Sequence, residues 1–141
     1  PKGLTFHELG LADFDGDLEF LAPRKATSSH FTPVKRYHKE SDDTCKAPVR
    51  KLGTIAKQLG HDHIDLLKID IEGGEYGVIP EIVSEDIPIA QLLIEFHHSY
   101  ETISFSQTVE AVRSLKRIGF EVFAISERTY EMSMINTRCQ P

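Results

Sequence analysis

Apolar positions follow two different periods along this chain, and the pattern predicts strands that alternate with helices. Helical spacing of apolar residues predicts helices at about 52–59, 76–84 and 105–118. Short apolar runs predict strands at about 4–14, 18–21, 49–51, 64–71, 88–96, 120–126 and 130–137. Asp15-Gly16 is predicted to reverse the chain between the first two strands, and the polar run at about 22–48 is predicted to be a mobile insertion. This order predicts one α/β domain built on a largely parallel, doubly wound sheet.

The most informative stretch is a predicted strand that ends in a glycine turn and continues as a helix, Ile64–Tyr76. Three carboxylates, Asp70, Glu72 and Glu75, lie at this junction. Ligands bind beyond the carboxyl ends of the strands in open α/β sheets, so this edge is where we expect chemistry. A purely structural interpretation is that Lys68 pairs with one acid and that the glutamates stabilise the helix start by only ~0.3–1 kcal/mol.

The next predicted strand also ends in polar residues, Glu95, His97 and His98. If the two strands are parallel neighbours, their carboxyl ends meet, and Glu95 and His97 join Asp70 and Glu72 in one crevice. Carboxylates beside a histidine can act as a general base and its orienting partner, or can hold a divalent metal. The spacing leaves both roles open. Adjacent strand residues face opposite ways, so only one of the two histidines is expected to enter the crevice.

Other polar positions give weaker signals. Asp13 either reaches the same edge from the first strand or starts an Asx turn. His61-Asp62-His63 lies in the loop before the central strand, at the opposite edge, and is expected to be solvated. Tyr76 is expected to be a packing residue. No metal ligand is assigned, although the acids and the histidine of the crevice are of types that bind a divalent metal.

Charge and composition exclude several classes of protein. The 141 residues carry a formal net charge of −6, which argues against nucleic acid as the main partner. No apolar run approaches the length of a membrane span, so this segment is expected to be soluble, without membrane contact. The chain lacks GxGxxG, GxxxxGK[ST] and GxSxG motifs. Its two cysteines, Cys45 and Cys139, allow either one disulfide or two free thiols.

The run Leu66-Leu-Lys-Ile-Asp-Ile-Glu-Gly-Gly-Glu75 resembles the FkbM-type methyltransferase family, including its animal methyltransferase-like branch. Supporting matches occur in the same order as in the family, at residues 10–16, 93–97 and 115–120. The resemblance implies a class I, Rossmann-like enzyme that depends on S-adenosylmethionine and usually methylates oxygen, here a hydroxyl of a small molecule or glycan. The strands that end at Asp13, Asp70 and Glu95 would be the third, fourth and fifth of that fold, so the chain would hold strands three to seven.

The resemblance also implies roles for individual residues. Asp13 and Asp70 would bind the cofactor, and the catalytic candidates are Asp70, Glu72, Glu75, Glu95 and His97. The family's first strand, its glycine-rich cofactor turn and the acid that holds the ribose would all lie before Pro1, together with any targeting signal. We therefore expect residues 1–141 to be the C-terminal part of a methyltransferase domain, inactive alone. The competing hypothesis is a non-catalytic fragment or binding module whose acidic edge holds a metal or a basic partner.

Overall fold

The computed structural model describes residues 3–23, 31–33 and 40–139, and this part of the chain forms two β-sheets and three helices. The helices are α1 (Leu52–Leu59), α2 (Glu75–Glu85) and α3 (Phe105–Arg117). The strands are β1 (Gly10–Leu11), β2 (Gly16–Pro23), β3 (Glu40–Arg50), β4 (Ile64–Ile69), β5 (Ile89–Glu95), β6 (Phe120–Ile125) and β7 (Glu131–Asn136). No helix in the described residues is both long and apolar enough to cross a bilayer.

The three helices were predicted to within a few residues, because their ends carry local signals. Gly60 ends α1 in the left-handed conformation, with φ +71°, and its N–H bonds to the last carbonyls of the helix. At the start of α3, the Ser104 N–H donates to Gln107 Oε1 over 2.7 Å, which satisfies one free donor of the first turn. Gly119, with φ +104°, follows α3 and turns the chain into β6.

The larger sheet has the strand order β4-β5-β7-β6. β4 and β5 are parallel, with Leu67 opposite Leu92, so both strands end at the same edge. β7 lies antiparallel to both β5 and β6. The smaller sheet has the order β1-β3-β2, with β1 parallel and β2 antiparallel to β3. The predicted meeting of the β4 and β5 carboxyl ends is confirmed.

The α/β class is confirmed, but the prediction of a largely parallel, Rossmann-like sheet is not. Three of the five strand pairings in the described part of the chain are antiparallel. One reason is the short connection between β6 and β7, residues 126–130. A parallel crossover needs a dozen or more residues, whereas a turn this short joins antiparallel strands.

Three predictions for the N-terminal third were wrong. Residues 4–9 are not a strand, and β1 and β2 do not form a hairpin, because β3 lies between them. The segment Glu40–Pro48, predicted as part of an irregular insertion, belongs to β3. Its described side chains are mostly exposed, so the strand has no apolar alternation that could have revealed it. Residues 22–23 of the predicted insertion belong to β2, and Thr32 forms an isolated bridge with Leu21 of that strand. The remaining residues of the insertion, 24–30 and 34–39, lie outside the described residues.

One apolar core joins the helices to the larger sheet. Its buried members include Ile69, Leu92, Ile94, Phe96, Met132 and Met134 from the sheet side and Leu52, Val78, Ile79, Ile82 and Leu115 from the helices. The opposite side of the sheet exposes Leu66, Lys68 and Ile135. Within the described residues the helices thus cover one face, rather than the two faces of a doubly wound sheet. Cys45 and Cys139 are free thiols.

Candidate functional site

The turn between β4 and α2 has an unusual backbone. Glu72 has φ +53° and Gly73 has φ +101°, so two consecutive residues occupy the region that L side chains rarely adopt. Glycine accepts this conformation without strain, whereas a glutamate does not. The turn places the carboxylates of Asp70 and Glu72 beyond the end of β4, as the sequence predicted. Strained residues of this kind are concentrated at functional sites.

The side chain of Glu75 holds the backbone of this turn in place. Its side chain is fully buried, and its carboxylate accepts hydrogen bonds from the backbone N–H groups of Ile71 (3.0 Å) and Gly73 (3.1 and 3.3 Å). Oε1 also lies 3.0 Å from Nδ1 of His97. Because this carboxylate accepts from backbone donors, Nδ1 of His97 is the donor in that contact. Glu75 thereby closes the turn and fixes the orientation of the imidazole.

The other imidazole nitrogen of His97 faces three carboxylates. Nε2 lies 3.8 Å from Asp70 Oδ1, 3.8 Å from Glu72 Oε2 and 4.0 Å from Glu95 Oε1. The structure thus brings together the five residues that were predicted as catalytic. Burial alone would lower the pKa of His97, but the hydrogen bond to Glu75 and the surrounding carboxylates raise it above its ordinary value. The pKa of Glu95 is also raised, first by burial and then by the charge of Asp70.

A cavity of about 490 Å³ lies between the turn and the smaller sheet. Carboxylates and apolar side chains both contribute to its wall, including Asp13, Asp70, Glu72, Leu18, Phe14, Phe20 and Phe31. Asp13 therefore reaches the same region as the acids after β4. Its carboxylate packs against Gly77 in the first turn of α2, where a Cβ would lie 3.0 Å from Oδ2. Glu95 and His97 are not among the residues that line this cavity.

The family model for the methyltransferase FkbM domain matches residues 4–122. The chain belongs to the FkbM methyltransferase family. The matched range includes all the candidate site residues, from Asp13 to His97. The resemblance predicted from the β4 motif is therefore confirmed.

Curated relatives of this FkbM chain include two mammalian proteins. Over 84 residues it is 33% identical to the "Probable methyltransferase-like protein 24" of Rattus norvegicus, a match that covers 52% of this chain and 23% of the rat protein. Over 50 residues it is 44% identical to the human protein of the same name, covering 34% of this chain and 14% of that protein. Thus the matches span less than a quarter of either relative. No solved structure matches the chain.

Two residues that support the FkbM site were missed from the sequence. The hydroxyl of Tyr100 donates a hydrogen bond to Oε2 of Glu72, and Oγ1 of Thr32 donates to the backbone carbonyl of Glu72 over 2.8 Å. Tyr100 follows β5 in the chain. Ligands of open α/β sheets bind beyond the carboxyl ends of the strands, so this position in the sequence could have indicated that Tyr100 belongs to the site. Thr32 lies in the predicted insertion, where no local pattern indicated a contact with the turn.

The histidine predictions agree with the structure. His98 stays out of the carboxylate cluster and contacts Oγ1 of Thr108 through Nδ1 at 3.2 Å. His61 and His63 are exposed at the opposite edge, where His63 contacts its neighbour Asp62 at 2.7 Å.

Tyr76 is a packing residue, as predicted. Its ring packs against the core, and its hydroxyl lies 2.8 Å from Oγ1 of Thr108. Burial is the main reason why its pKa is raised to about 12.

Proposed function

We propose that the intact protein transfers a methyl group from S-adenosylmethionine to a hydroxyl oxygen of a small molecule or glycan. The observation that carries this proposal is the strained turn after β4. It directs two acids, Asp70 and Glu72, into a cavity of about 490 Å³ in a chain of the FkbM methyltransferase family. That volume is in the range of small-molecule sites, roughly 300–1,000 Å³.

The residues of the cavity fit the cofactor. S-adenosylmethionine, when bound, supplies a methyl group activated by a positively charged sulfur. Carboxylates favour a cationic ligand, and Asp13 and Asp70 are the acids that we assign to holding it. The aromatic rings of Phe14, Phe20 and Phe31 offer apolar surface for the flat adenine ring.

We assign the removal of the acceptor's proton to Glu72. Its carboxylate lines the cavity, so an acceptor hydroxyl bound there can donate its proton to the side chain. Tyr100 fixes one carboxylate oxygen, and Thr32 fixes the backbone of the same residue. Glu75 and His97 are positioning residues in this proposal, because their hydrogen bonds fix the conformation of the turn. The remaining acceleration comes from holding the acceptor oxygen in line with the methyl group.

The test is methyl transfer by the intact protein carrying Glu72→Gln. General base catalysis contributes about 10²–10⁴-fold, so the variant should lose at least about 100-fold in kcat. Calorimetry with S-adenosylhomocysteine should show nearly unchanged binding, because Asp13 and Asp70 remain. Glu110→Gln, an exposed glutamate on α3, is the matched control and should keep full turnover. Unchanged turnover in Glu72→Gln would remove this residue from the mechanism.

The second candidate function is a non-catalytic module that binds through its acidic edge. Its supporting observation is the cluster of Asp70, Glu95 and His97, whose potential ligand atoms lie within 4.8 Å of one another. The two candidates differ in one measurement on the intact protein. An enzyme binds S-adenosylhomocysteine, whereas a module of this kind does not.

A further inference from the structure

We propose that Asp70, Glu95 and His97 form a binding site for one divalent cation of the Mn²⁺ or Mg²⁺ class. Their potential ligand atoms lie within 4.8 Å of one another, at the carboxyl ends of β4 and β5. The set combines an imidazole with carboxylates. Hard divalent cations prefer carboxylate oxygen, and Mn²⁺ lies next to the metals that favour imidazole, so it is the most suitable probe.

The second observation is the free nitrogen of a buried histidine. The His97 side chain is only 9% exposed, and Nδ1 is committed as a donor to Glu75. Among the described residues Nε2 has no hydrogen bond, because the nearest carboxylate oxygens are 3.8–4.0 Å away. The negative charge of these oxygens is balanced either by a proton on Nε2 or by a metal ion between the nitrogen and the carboxylates.

The arrangement behind His97 is the one that metal-binding histidines use. A ligating imidazole usually donates its other N–H to a carboxylate, which fixes the tautomer and increases the basicity of the ligand nitrogen. Glu75 supplies that carboxylate, and its own oxygens are held by the backbone of the turn. The tautomer that leaves the Nε2 lone pair free is therefore built into the fold.

The spacing and charge of the ligand atoms around Nε2 of His97 suit a bound ion. Ligands of a six-coordinate Mn²⁺ or Mg²⁺ lie about 2.1 Å from the metal, so neighbouring ligand atoms are about 3.0 Å apart and opposite ones about 4.2 Å. The distances of 3.8–4.0 Å around Nε2 require small inward shifts. The nearby cation Lys68 lies 3.6 Å from Oδ2 of Asp70, so Oδ1 of Asp70 is the oxygen that faces Nε2 of His97. The Asp70 and Glu95 side chains are 38% and 36% exposed, which leaves room for water ligands and for entry of the ion.

The site is tested by titrating the intact, metal-free protein with Mn²⁺, followed by calorimetry and by electron paramagnetic resonance of the free ion. We expect one bound ion per chain, and at least a tenfold weaker affinity in His97→Asn and in Glu95→Gln. His98→Asn and Glu131→Gln are matched controls. The first removes the neighbouring imidazole, and the second removes the acid paired with Glu95 across the sheet, so both should bind within about twofold of the wild type.

A second measurement needs no variant. Bound Mn²⁺ should broaden the proton NMR signals of the His97 ring at the lowest additions, before those of His61 and His63. The proposal is overturned if the wild-type protein shows no saturable binding up to about 1 mM Mn²⁺, a Kd that corresponds to only about −4 kcal/mol. It is also overturned if binding survives both ligand variants. The readout is metal binding, so the result does not depend on whether the protein transfers methyl groups.

Discussion

Replacing Glu75 with glutamine should destabilise the protein more than any exposed substitution. The buried carboxylate accepts backbone hydrogen bonds from Ile71 and Gly73 and contacts His97, all at 3.0–3.3 Å. In Glu75→Gln one oxygen becomes an NH₂ group, so at least one of these donors faces another donor. A hydrogen bond to a charged group contributes about 1.5–3 kcal/mol. Leaving a buried charge without its partner costs about 3–5 kcal/mol.

We therefore expect Glu75→Gln to lower the free energy of unfolding by about 3–5 kcal/mol, out of the roughly 5–15 kcal/mol typical of a whole domain. The measurement is urea unfolding of the intact protein at neutral pH, followed by circular dichroism. With an m-value of about 2 kcal/mol per M, the midpoint should fall by roughly 1.5–2.5 M. The control is Glu110→Gln, which removes an exposed glutamate that pairs with Arg117 at 2.5 Å and with Arg113 at 3.8 Å; because exposed ion pairs contribute little, it should change stability by less than about 1 kcal/mol.

A double-mutant cycle separates the contact with His97 from the contacts with the backbone. Glu75→Gln and His97→Asn should together cost less than the sum of the single changes, with a coupling of about 1.5–3 kcal/mol. A midpoint shift below about 0.5 M for Glu75→Gln at unchanged m would refute the argument, since the buried carboxylate would then contribute little to the turn.

The two remaining predictions concern positions away from the site. Burial raises the pKa of Glu81 above its ordinary value of 4.5. The folded state therefore holds a proton that the unfolded chain has released, and wild-type stability should fall as pH rises from 4.5 through the raised pKa. Glu81→Gln should lack this component in urea unfolding from about pH 4 to about pH 7, and parallel pH curves for the two proteins would contradict it. Gly119→Ala should cost about 1–3 kcal/mol, because φ is +104° and a Cβ would lie 2.7 Å from Asn136 Oδ1 and from Arg138 Cγ. Gly60→Ala is the control for backbone strain alone, because Gly60 has φ +71° and the added Cβ would meet open space. An equal loss of Tm in both variants would contradict the predicted steric clash at Gly119.

The elements that the sequence predicted well carry their own signals. The helix that ends at Gly60 and the turn at Gly73 need glycine for their positive φ values, so local residue types mark both positions. The meeting of Asp70, Glu95 and His97 could be predicted because the ends of parallel neighbouring strands coincide. Each of these predictions uses either a short stretch of chain or a general rule of sheet topology.

The features that the sequence did not predict depend on distant contacts. The segment Glu40–Pro48 of β3 has mostly exposed side chains where they are described, and it is recognisable as a strand through its pairing with β2. Thr32 meets Glu72 across 40 positions of sequence. Glu75 occupies the first turn of a helix, where an exposed acid would be ordinary, and its burial follows from packing against His97. No local pattern encodes these relationships.

The left-handed conformation of Glu72 has a consequence for engineering. A glycine at this position would relieve roughly 1–2 kcal/mol of backbone strain, and the hydrogen bond from Thr32 would survive because it is made to the main chain. The same change would remove the hydrogen bond that Tyr100 donates to the carboxylate, which is worth about 1.5–3 kcal/mol for a charged acceptor. The two effects are of similar size, so the side-chain contacts of Glu72 are what offset its backbone strain, and a stabilised variant of this protein is better sought at other positions.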